Sequence, residues 1–553
     1  MSLSPEAKRL AVAAAGAAAL ALLAARLRGP AEQIVKRGLV DDPEKVGKLV
    51  GVAAANKLLG EEHEYDFIII GGGGNRRISP RLPSIRALRL QSAPPGGRHK
   101  WADCQFYSDP SGIWSNHEVE IRLGFVHCTT AQLQQPFHYG APTDYDEWSK
   151  ATNEPEGKEW EFEHFQKSFR KFETFHPHPD FPLDESKRGV DGPIQTGFTG
   201  NYSNVARSFV SACETVGIPK NPDVSTSRCS AEAAYITPTV LARPNLTVAT
   251  SAQVTRILFE GKRATGVEFA RSKDAPRYQV RARKEIILCA GAVHTPHILM
   301  NSGIGPVEEL SKHQIPVIQD LPGVGDHLMD HQGVNLRFRT VPGESLNYLN
   351  AKKATSFYDK LKRSKAIGQY LLSKSGPLTS NFAEAACFLR SDDPKVFPGL
   401  PPLSEDTCSG PGAPDLELIA MPIGFKNHGK EDVADGDLMT ILTTVLRPTS
   451  KGKITLRSND PFDAPIIDPN YLSTQHDVDA IVRGMRLALR LARTEPMQNI
   501  IDSTDRTPAL DHTLLEADDE ALAQVARERE APALAIGEKA ADIVKAAHPV
   551  IDA

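Results

Sequence analysis

The run Tyr65-Asp-Phe-Ile-Ile-Ile-Gly-Gly-Gly-Gly74 constrains the fold of this chain more than any other stretch. Three consecutive isoleucines, Ile68, Ile69 and Ile70, suit a strand buried on both faces, as in a parallel sheet covered by helices. A strand running straight into glycines is how a dinucleotide-binding fold opens. Glycine permits the tight turn, lets backbone approach a pyrophosphate, and frees the next helix N-terminus to bind the anion. Gly71 and Gly73 fill the first two positions of G-x-G-x-x-G, but the third is Arg76. That bulky cation stands where helix and strand must pack closely, and Arg77, Ser79, Pro80 and Pro83 are poor material for the helix. Further on, where a carboxylate would hold a ribose hydroxyl, Leu88-Arg-Leu-Gln91 ends in an amide, a weaker acceptor. Taken alone, the half-motif fits a glycine-rich turn after any buried strand equally well.

A second apolar strand runs into small residues and then a helix at Lys284-Glu-Ile-Ile-Leu-Cys-Ala-Gly-Ala-Val-His-Thr-Pro-His-Ile-Leu-Met-Asn-Ser-Gly-Ile-Gly305. Pro296 stands where a helix's first turn tolerates it. The spacing of Gly291, Ala292, Thr295, Pro296, Ile298, Leu299 and Ser302-Gly-Ile-Gly305 resembles the second signature of the glucose-methanol-choline (GMC) family of FAD-dependent alcohol oxidoreductases. Under that resemblance the small residues Ala290, Gly291 and Ala292 let a flavin lie directly over the backbone at the strand end. Asn245-Leu-Thr-Val-Ala-Thr-Ser-Ala-Gln-Val254 is similar to the family strand whose valine touches the adenine end of FAD. Leu321-Pro-Gly-Val-Gly-Asp-His-Leu-Met-Asp-His331 resembles the loop after the flavin domain, with His327 where asparagine is usual. The segment from Phe137 to Trp148, and the pair Arg447 to Arg457 and Ile467 to Tyr471, look like substrate-domain landmarks, the last as strands closing over the flavin.

The resemblance covers most of residues 62–545. It implies an α/β chain in which an FAD-binding Rossmann-like parallel-sheet domain is interleaved with an α+β substrate domain carrying an antiparallel sheet. The expected boundaries are 1–60 for an N-terminal anchor helix and helical connector, 61–136, 240–340 and 531–547 for the FAD-binding domain, and 137–239 and 341–530 for the substrate domain. The implied cofactor is FAD, and the cofactor-binding candidates are Gly71, Gly73, Gly74, Val254, Ala290 and Gly291. The implied substrate is a small-molecule alcohol oxidised at its CH–OH group, with oxygen or another electron acceptor both open. A nicotinamide-dependent dehydrogenase would account for Gly71-x-Gly73 but not for residues 284–305.

The pattern breaks in three places. Residues 75 to about 120 are rich in Pro, Arg and Ser where a helix, a second strand and an acidic residue are expected. Between Gly124 and Phe137 there is no glycine, although the family carries its first signature there. Residues 518–530 then run directly into Ala531-Pro-Ala-Leu-Ala-Ile-Gly537, which resembles the family's very end. The segment with a His-Pro-x-Ser-Thr type motif and a second histidine or asparagine has no counterpart, so no catalytic residue is assigned. Family chemistry moves a hydroxyl proton to a positioned base, a task suited to histidine near neutral pKa. His176 and His178 lie in a Pro-rich loop and His548 in the tail, which reads as solvated histidine. Because each interruption resumes the pattern in register, a shifted reading frame or mispredicted splice boundary would explain them. The alternative to an impaired enzyme is a catalytically inactive, membrane-tethered relic.

The net charge of -5 removes any global electrostatic reason to expect nucleic acid. The seven cysteines, Cys104, Cys128, Cys213, Cys229, Cys289, Cys387 and Cys408, show no C-x-x-C pair or zinc-like spacing, so they read as small apolar fillers and no metal site is expected. Lys8 and Arg9 precede an uncharged, alanine-dominated run over residues 10–25, closed by Arg26 and Arg28. The run is shorter than the roughly 20 apolar residues that span a bilayer comfortably. It reads as a retained anchor, a signal peptide or a soluble surface helix, of which the first two would place the protein on a membrane or in the secretory pathway. Sequons at Asn201 and Asn245 are compatible with secretion and do not decide it.

Overall fold

The computed structural model describes residues 39–40, 46–49, 64–71, 84–88, 140–152, 155–179, 181–198, 201–220, 234–235, 237–351, 353–373, 375–380, 382–426 and 433–530. The strands that carry the argument are β1 (Leu39–Val40), β2 (Lys48–Leu49), β3 (Glu64–Ile70), β4 (Ser84–Leu88), β5 (Leu246–Glu260), β6 (Arg263–Ala270), β7 (Tyr278–Leu288), β8 (Gln332–Arg339), β9 (Ala385–Leu389), β10 (Leu416–Met421), β11 (Leu438–Val445), β12 (Lys453–Thr455) and β13 (Ile466–Asp468). The helices are α1 (Pro142–Thr152), α2 (Phe162–Phe172), α3 (Asn204–Thr215), α4 (Gly291–Asn301), α5 (Phe357–Ser373), α6 (Gln475–Ala492) and α7 (Asp519–Glu530).

Two sheets organise the molecule. The first is mixed: β3 pairs β7 in parallel and β1 pairs β5 in parallel, while β4 lies antiparallel between β3 and β5, and β6 is antiparallel to β5 and β7. Its core joins Tyr65, Ile68 and Ile70 to Val254, Phe269, Val280 and Ile298 of α4. Ile69 and Leu288 sit on paired strands, with Ile69 opposite Ile287 and Ile70 opposite Leu288, whereas residues 531–547, expected in the same domain, lie outside the described residues.

Two expectations change here. Residues 30–62 read as a helical connector, yet Leu39–Val40 pairs with β5 and Lys48–Leu49 with β7, so both join the first sheet. Alternating charge along that stretch is as compatible with sheet-edge strands as with a helix. Residues 75 to about 120 read as lacking a second strand, yet Ser84–Leu88 forms one. Because it is antiparallel to β3, it is not the next strand of a βαβ crossover, which would return parallel. The run over residues 10–25 lies outside the described residues, among which no helix is long and apolar enough to cross a membrane.

The second sheet is antiparallel in the order β8-β11-β10-β9. Alternation sends Val334, Leu336, Phe338, Cys387, Leu416, Leu418, Met439 and Ile441 to one face, where α3, α6 and α7 pack as one continuous core. The α6 helix comes so close that a Cβ on Gly484 would meet Thr443 Cγ2 at 2.2 Å. Its N-terminus is held by Asp477, fully buried, which accepts from Thr449 N at 2.8 Å, Ser450 N at 2.9 Å and Gln332 Nε2 at 3.0 Å. Burial opposes its ionisation, but the bonds from Ser450 and Thr449 hold the carboxyl below its usual range. Likewise Glu384 accepts from Ser203 N at 2.9 Å and Ser380 Oγ at 2.6 Å, pinning the first turn of α3. Cys213 of α3 and Cys387 of β9 face each other inside this core, and their hydrogen bond together with burial pushes the Cys213 thiol far up, as befits inert filler.

The opposite face of this sheet is less apolar. Glu417 sits there between Phe388 and Thr444 in register, 8% exposed, and burial raises its carboxyl to about 7. The folded state therefore holds the proton that the unfolded chain releases near 4.5, so stability is fully present below 4.5 and is lost as pH rises through 7. Replacing Glu417→Gln should flatten that slope and stabilise the protein at pH 8 by on the order of 3 kcal/mol. Denaturant unfolding at pH 5 and pH 8 checks it; an unchanged difference between wild type and variant at the two pH values would remove the buried-acid assignment.

Candidate functional site

The site grows from the carboxyl ends of β3 and β7, two adjacent parallel strands that finish at one edge. Ligands of open α/β sheets bind outside such ends. Cys289 N donates to Ile70 O at 2.7 Å, extending the ladder by one residue. Gly71 follows at φ +105°, and a Cβ there would lie 2.1 Å from the Cys289 carbonyl oxygen, so the approach of the two strand ends requires glycine. On the other side Ala290 occupies the N-cap of α4 with no side-chain cap, and Gly291 opens the helix at φ +80°. Among the described residues nothing lies within 4 Å of where a Gly291 Cβ would be, and Gly291 and Ala292 are exposed. The first-turn N–H groups of this 11-residue helix receive no cap from the N-cap side chain, which suits a bound anion or a polar ring.

The helix is fixed from its far end. Ser302 Oγ accepts from Ile257 N at 2.8 Å and donates to Ile298 O at 2.5 Å, locking α4 onto β5. The hairpin of β12 and β13, at the predicted position 447–471, presses Ile454 and Leu456 against Met300 and Leu310. Ile454 N donates to Gly325 O at 2.6 Å, which ties in the loop over residues 321–331.

Of the residues assigned from sequence, Gly71, Ala290 and Gly291 come together at this edge. Val254 lies on β5 opposite Phe269 and is 2% exposed, within the layer that also holds Ile70, Ile298 and Ala290. Its side chain belongs to the core, so it can offer a ligand only main chain. Gly73, Gly74, Arg76 and Gln91 lie outside the described residues. FAD is the cofactor of the family, and the described residues fit it at this edge: the glycine-dependent close approach, the bare Ala290–Ala292 surface and the open helix start suit a flat, anionic group.

Two histidines that sequence reasoning passed over sit on α4. His294 and His297, three residues apart, place their rings 5.9 Å from centroid to centroid in an edge-on arrangement. Burial lowers both, His297 to about 4 despite Asp463 nearby. The signal available was their spacing immediately around Pro296. Neither is a ready proton acceptor, because a base works best with a pKa near the operating pH. His327 is exposed at φ 56° with Asp326 3.7 Å away, His331 is exposed at the start of β8, and His176 is exposed with Nε2 2.6 Å from Gln195 Oε1. Among the described residues no group of histidine, cysteine, aspartate or glutamate side chains could hold a metal ion.

The sequence matches the GMC oxidoreductase family in its N-terminal part over residues 137–333 and in its C-terminal part over residues 448–547. It is 37% identical over 419 residues to Dehydrogenase str4 of Strobilurus tenacellus, a match covering 67% of this chain and 64% of that one. It is 30% identical over 478 residues to an oxygen-dependent choline dehydrogenase of Chromohalobacter salexigens, covering 78% of this chain and 77% of the relative. The fold is similar to formate oxidase of Aspergillus oryzae, with a TM-score of 0.58 and 25% identity over 70% of each chain. It is also similar in fold to a fungal aryl-alcohol oxidase, with a TM-score of 0.56 at 22% identity over 72% of this chain and 73% of the other.

Two outcomes follow from this geometry. Gly71→Ala should destabilise by on the order of 3 kcal/mol or more, through overlap and positive φ together, whereas Gly291→Ala, with no described atom within 4 Å of its Cβ, should cost only about 1 kcal/mol. Chemical denaturation of both variants would show it, and equal costs would mean that the strand ends do not meet as described. For His297, an imidazole pushed down to about 4 from 6.5 leaves the unfolded chain as the better proton binder. Stability should then fall as pH drops from 6.5 to 4, by up to about 3 kcal/mol, and His297→Gln should remove that part of the acid loss. Melting curves of the two proteins from pH 7 to pH 4 that stay parallel would contradict it.

Proposed function

The chain belongs to the GMC oxidoreductase family, and we propose that it derives from an FAD-dependent enzyme acting on the CH–OH group of a small alcohol, with turnover impaired in the chain as it stands. What supports the ancestry most is the strand-end edge where Gly71, Cys289 and Gly291 meet. FAD supplies, when bound, the acceptor for the hydride equivalent that the alcohol carbon gives up. The protein's part is to hold and orient. Gly71 lets the two strand ends close up, Ala290 and Gly291 leave room for a ring system over the backbone, and the first N–H groups of α4 are placed to meet negative charge on it.

The proton step is where the chain falls short. An alcohol losing hydride must also lose its hydroxyl proton, and the family's segment carrying a histidine for this has no counterpart between α7 and residue 531. His297, held neutral with a pKa near 4, is a weak acceptor at neutral pH, and His327 and His331 stand exposed. Loss of a positioned base lowers such rates by roughly 10² to 10⁴. The antiparallel course of β4 also argues for weakened dinucleotide binding, since the phosphate turn of a βαβ unit depends on a parallel return.

The second reading is a catalytically inactive, membrane-tethered relic, favoured by that same missing segment. Choline-type, aryl and simple primary alcohols are the substrate classes to try. The purified protein is titrated with FAD and then mixed anaerobically with methanol, aryl alcohols and choline while flavin absorbance is followed. The expected outcome is substoichiometric flavin, bleached about 10² to 10⁴ times more slowly than in an intact relative assayed alongside. Stoichiometric flavin with rapid bleaching would overturn the impairment, and a colourless protein that takes up no FAD would favour the relic.

A further inference from the structure

We propose that α5 is a peripheral membrane contact that lays its outward face on an anionic lipid bilayer. A helix of a globular protein ordinarily turns its apolar stripe inward. This one does the reverse. Ser356 starts it, accepting from Asp359 N at 3.0 Å and donating to Asp359 Oδ2 at 2.6 Å. On the inner side, Ala366 is the one buried residue of the helix, and Arg363 Nε donates to the Leu349 carbonyl at 3.2 Å. On the outer side Phe357 is 83% exposed, Leu361 57% and Leu372 81%. At 3.6 residues per turn these three project within an arc of about 60°, so they share one outward ridge, apolar at its two ends and crossed between them by Gly368, which carries no side chain. Tyr358 and Leu371, both exposed, widen it.

The charges along its flanks say what should cover this ridge. Between 353 and 373 the basic residues are Lys353, Lys360, Lys362, Arg363 and Lys365, against the single acid Asp359, in a chain whose net charge is -5. Lys360 flanks the ridge on one side and Lys365 on the other, and both are exposed. Lys362 holds its ammonium 4.7 Å from the Tyr358 ring centroid and 5.5 Å from that of Tyr348, which keeps the aromatic ring and the charge side by side at the rim. An apolar ridge flanked by Lys360 on one side and by Lys365 and Lys362 on the other, with aromatic residues at its boundary, matches a bilayer surface in both respects. The ridge enters the acyl boundary and the lysines meet anionic headgroups. A second protein surface would need an acidic, apolar-grooved partner, whereas the lipid surface supplies both features together. These features belong to α5 alone and are independent of the N-terminal run over residues 10–25.

The full chain is mixed, at limiting lipid, with vesicles of phosphatidylcholine alone and of phosphatidylcholine with phosphatidylserine, and the bound fraction is measured by sedimentation over a range of salt. Binding should require phosphatidylserine and weaken with salt. Because every protein tested retains residues 1–38, a loss in a variant reports α5. The ridge variant F357S/L361S/L372S and the charge variant K360E/K365E should each lower the partition coefficient at least about tenfold with unchanged thermal unfolding. Should the ridge variant fold poorly, the charge variant, altered only at exposed lysines, carries the test. Partition equal to wild type in the charge variant, or equal wild-type binding to both vesicle types, would overturn the proposal. So would a ridge variant that changes the oligomeric size of the protein in solution, since a second copy would then be what covers this face.

Discussion

The parallel pairing of β3 with β7, closed where Cys289 N meets the Ile70 carbonyl, is the contact on which the rest of the architecture depends. It brings together segments more than two hundred residues apart in sequence and sets where both strands end. From that edge α4 departs, and its direction is fixed by Ser302 against β5 and by the β12–β13 hairpin against Met300. Gly71 is the hinge of the arrangement, because any side chain there would collide with the Cys289 carbonyl and force the strands apart. The candidate cofactor edge is thus a by-product of sheet packing: the same glycine that lets the strands meet leaves a bare surface above them.

The antiparallel sheet is stabilised by different means. Its helix-covered face is a large apolar core, but its corners are tied by buried carboxylates that each gather several donors. Asp477 joins α6 to the strand β8 and to the loop over residues 447–450, and Glu384 joins α3 to the start of β9. Asp511 accepts from Arg337 N at 2.7 Å and from Arg529 Nη2 at 2.6 Å, joining β8 to α7. Removing one partner of such a set leaves a buried charge uncompensated, which is costly, so these acids specify which loops meet which strands. They serve the sheet's corners, whereas Gly71 and Gly291 serve the cofactor edge.

That division explains which parts were legible in the sequence. The strand β3 announces itself because burial on both faces suits consecutive isoleucines, and α4 because small residues follow the strand end; Pro296, expected in the first turn, falls inside the helix. The strand β5 was legible through its resemblance to the family strand ending at Val254. By contrast, Leu39–Val40 and Lys48–Leu49 are two-residue edge strands whose pairing is decided by β5 and β7, not by their own propensity, so a charged, amphipathic stretch reads as helix. Ser84–Leu88 was hidden among prolines and arginines for the same reason. His294 and His297 carried no signal as single letters; their depressed basicity arises from the layer packed over α4. The outward ridge of α5 was equally silent, because hydrophobic spacing on a helix does not tell which side faces the core.

The separation between what folds the chain and what would make it work also bears on how such a sequence can persist. The interruptions in the family pattern fall in residues 75–120, in residues 125–136 and at the junction near residue 531, all outside the buried-carboxylate ties and outside the β3–β7 ladder. The first of these intervals nonetheless contains β4, which lies between β3 and β5 and so takes part in the first sheet. The strands of the antiparallel sheet and its carboxylate ties lie outside all three. Stability in a domain of this size is a small difference between large opposing quantities, so loss of one core contact in either sheet weighs heavily. The edge formed by Gly71, Ala290 and Gly291 is held in place by Ser302, Ile454 and the strands beneath it.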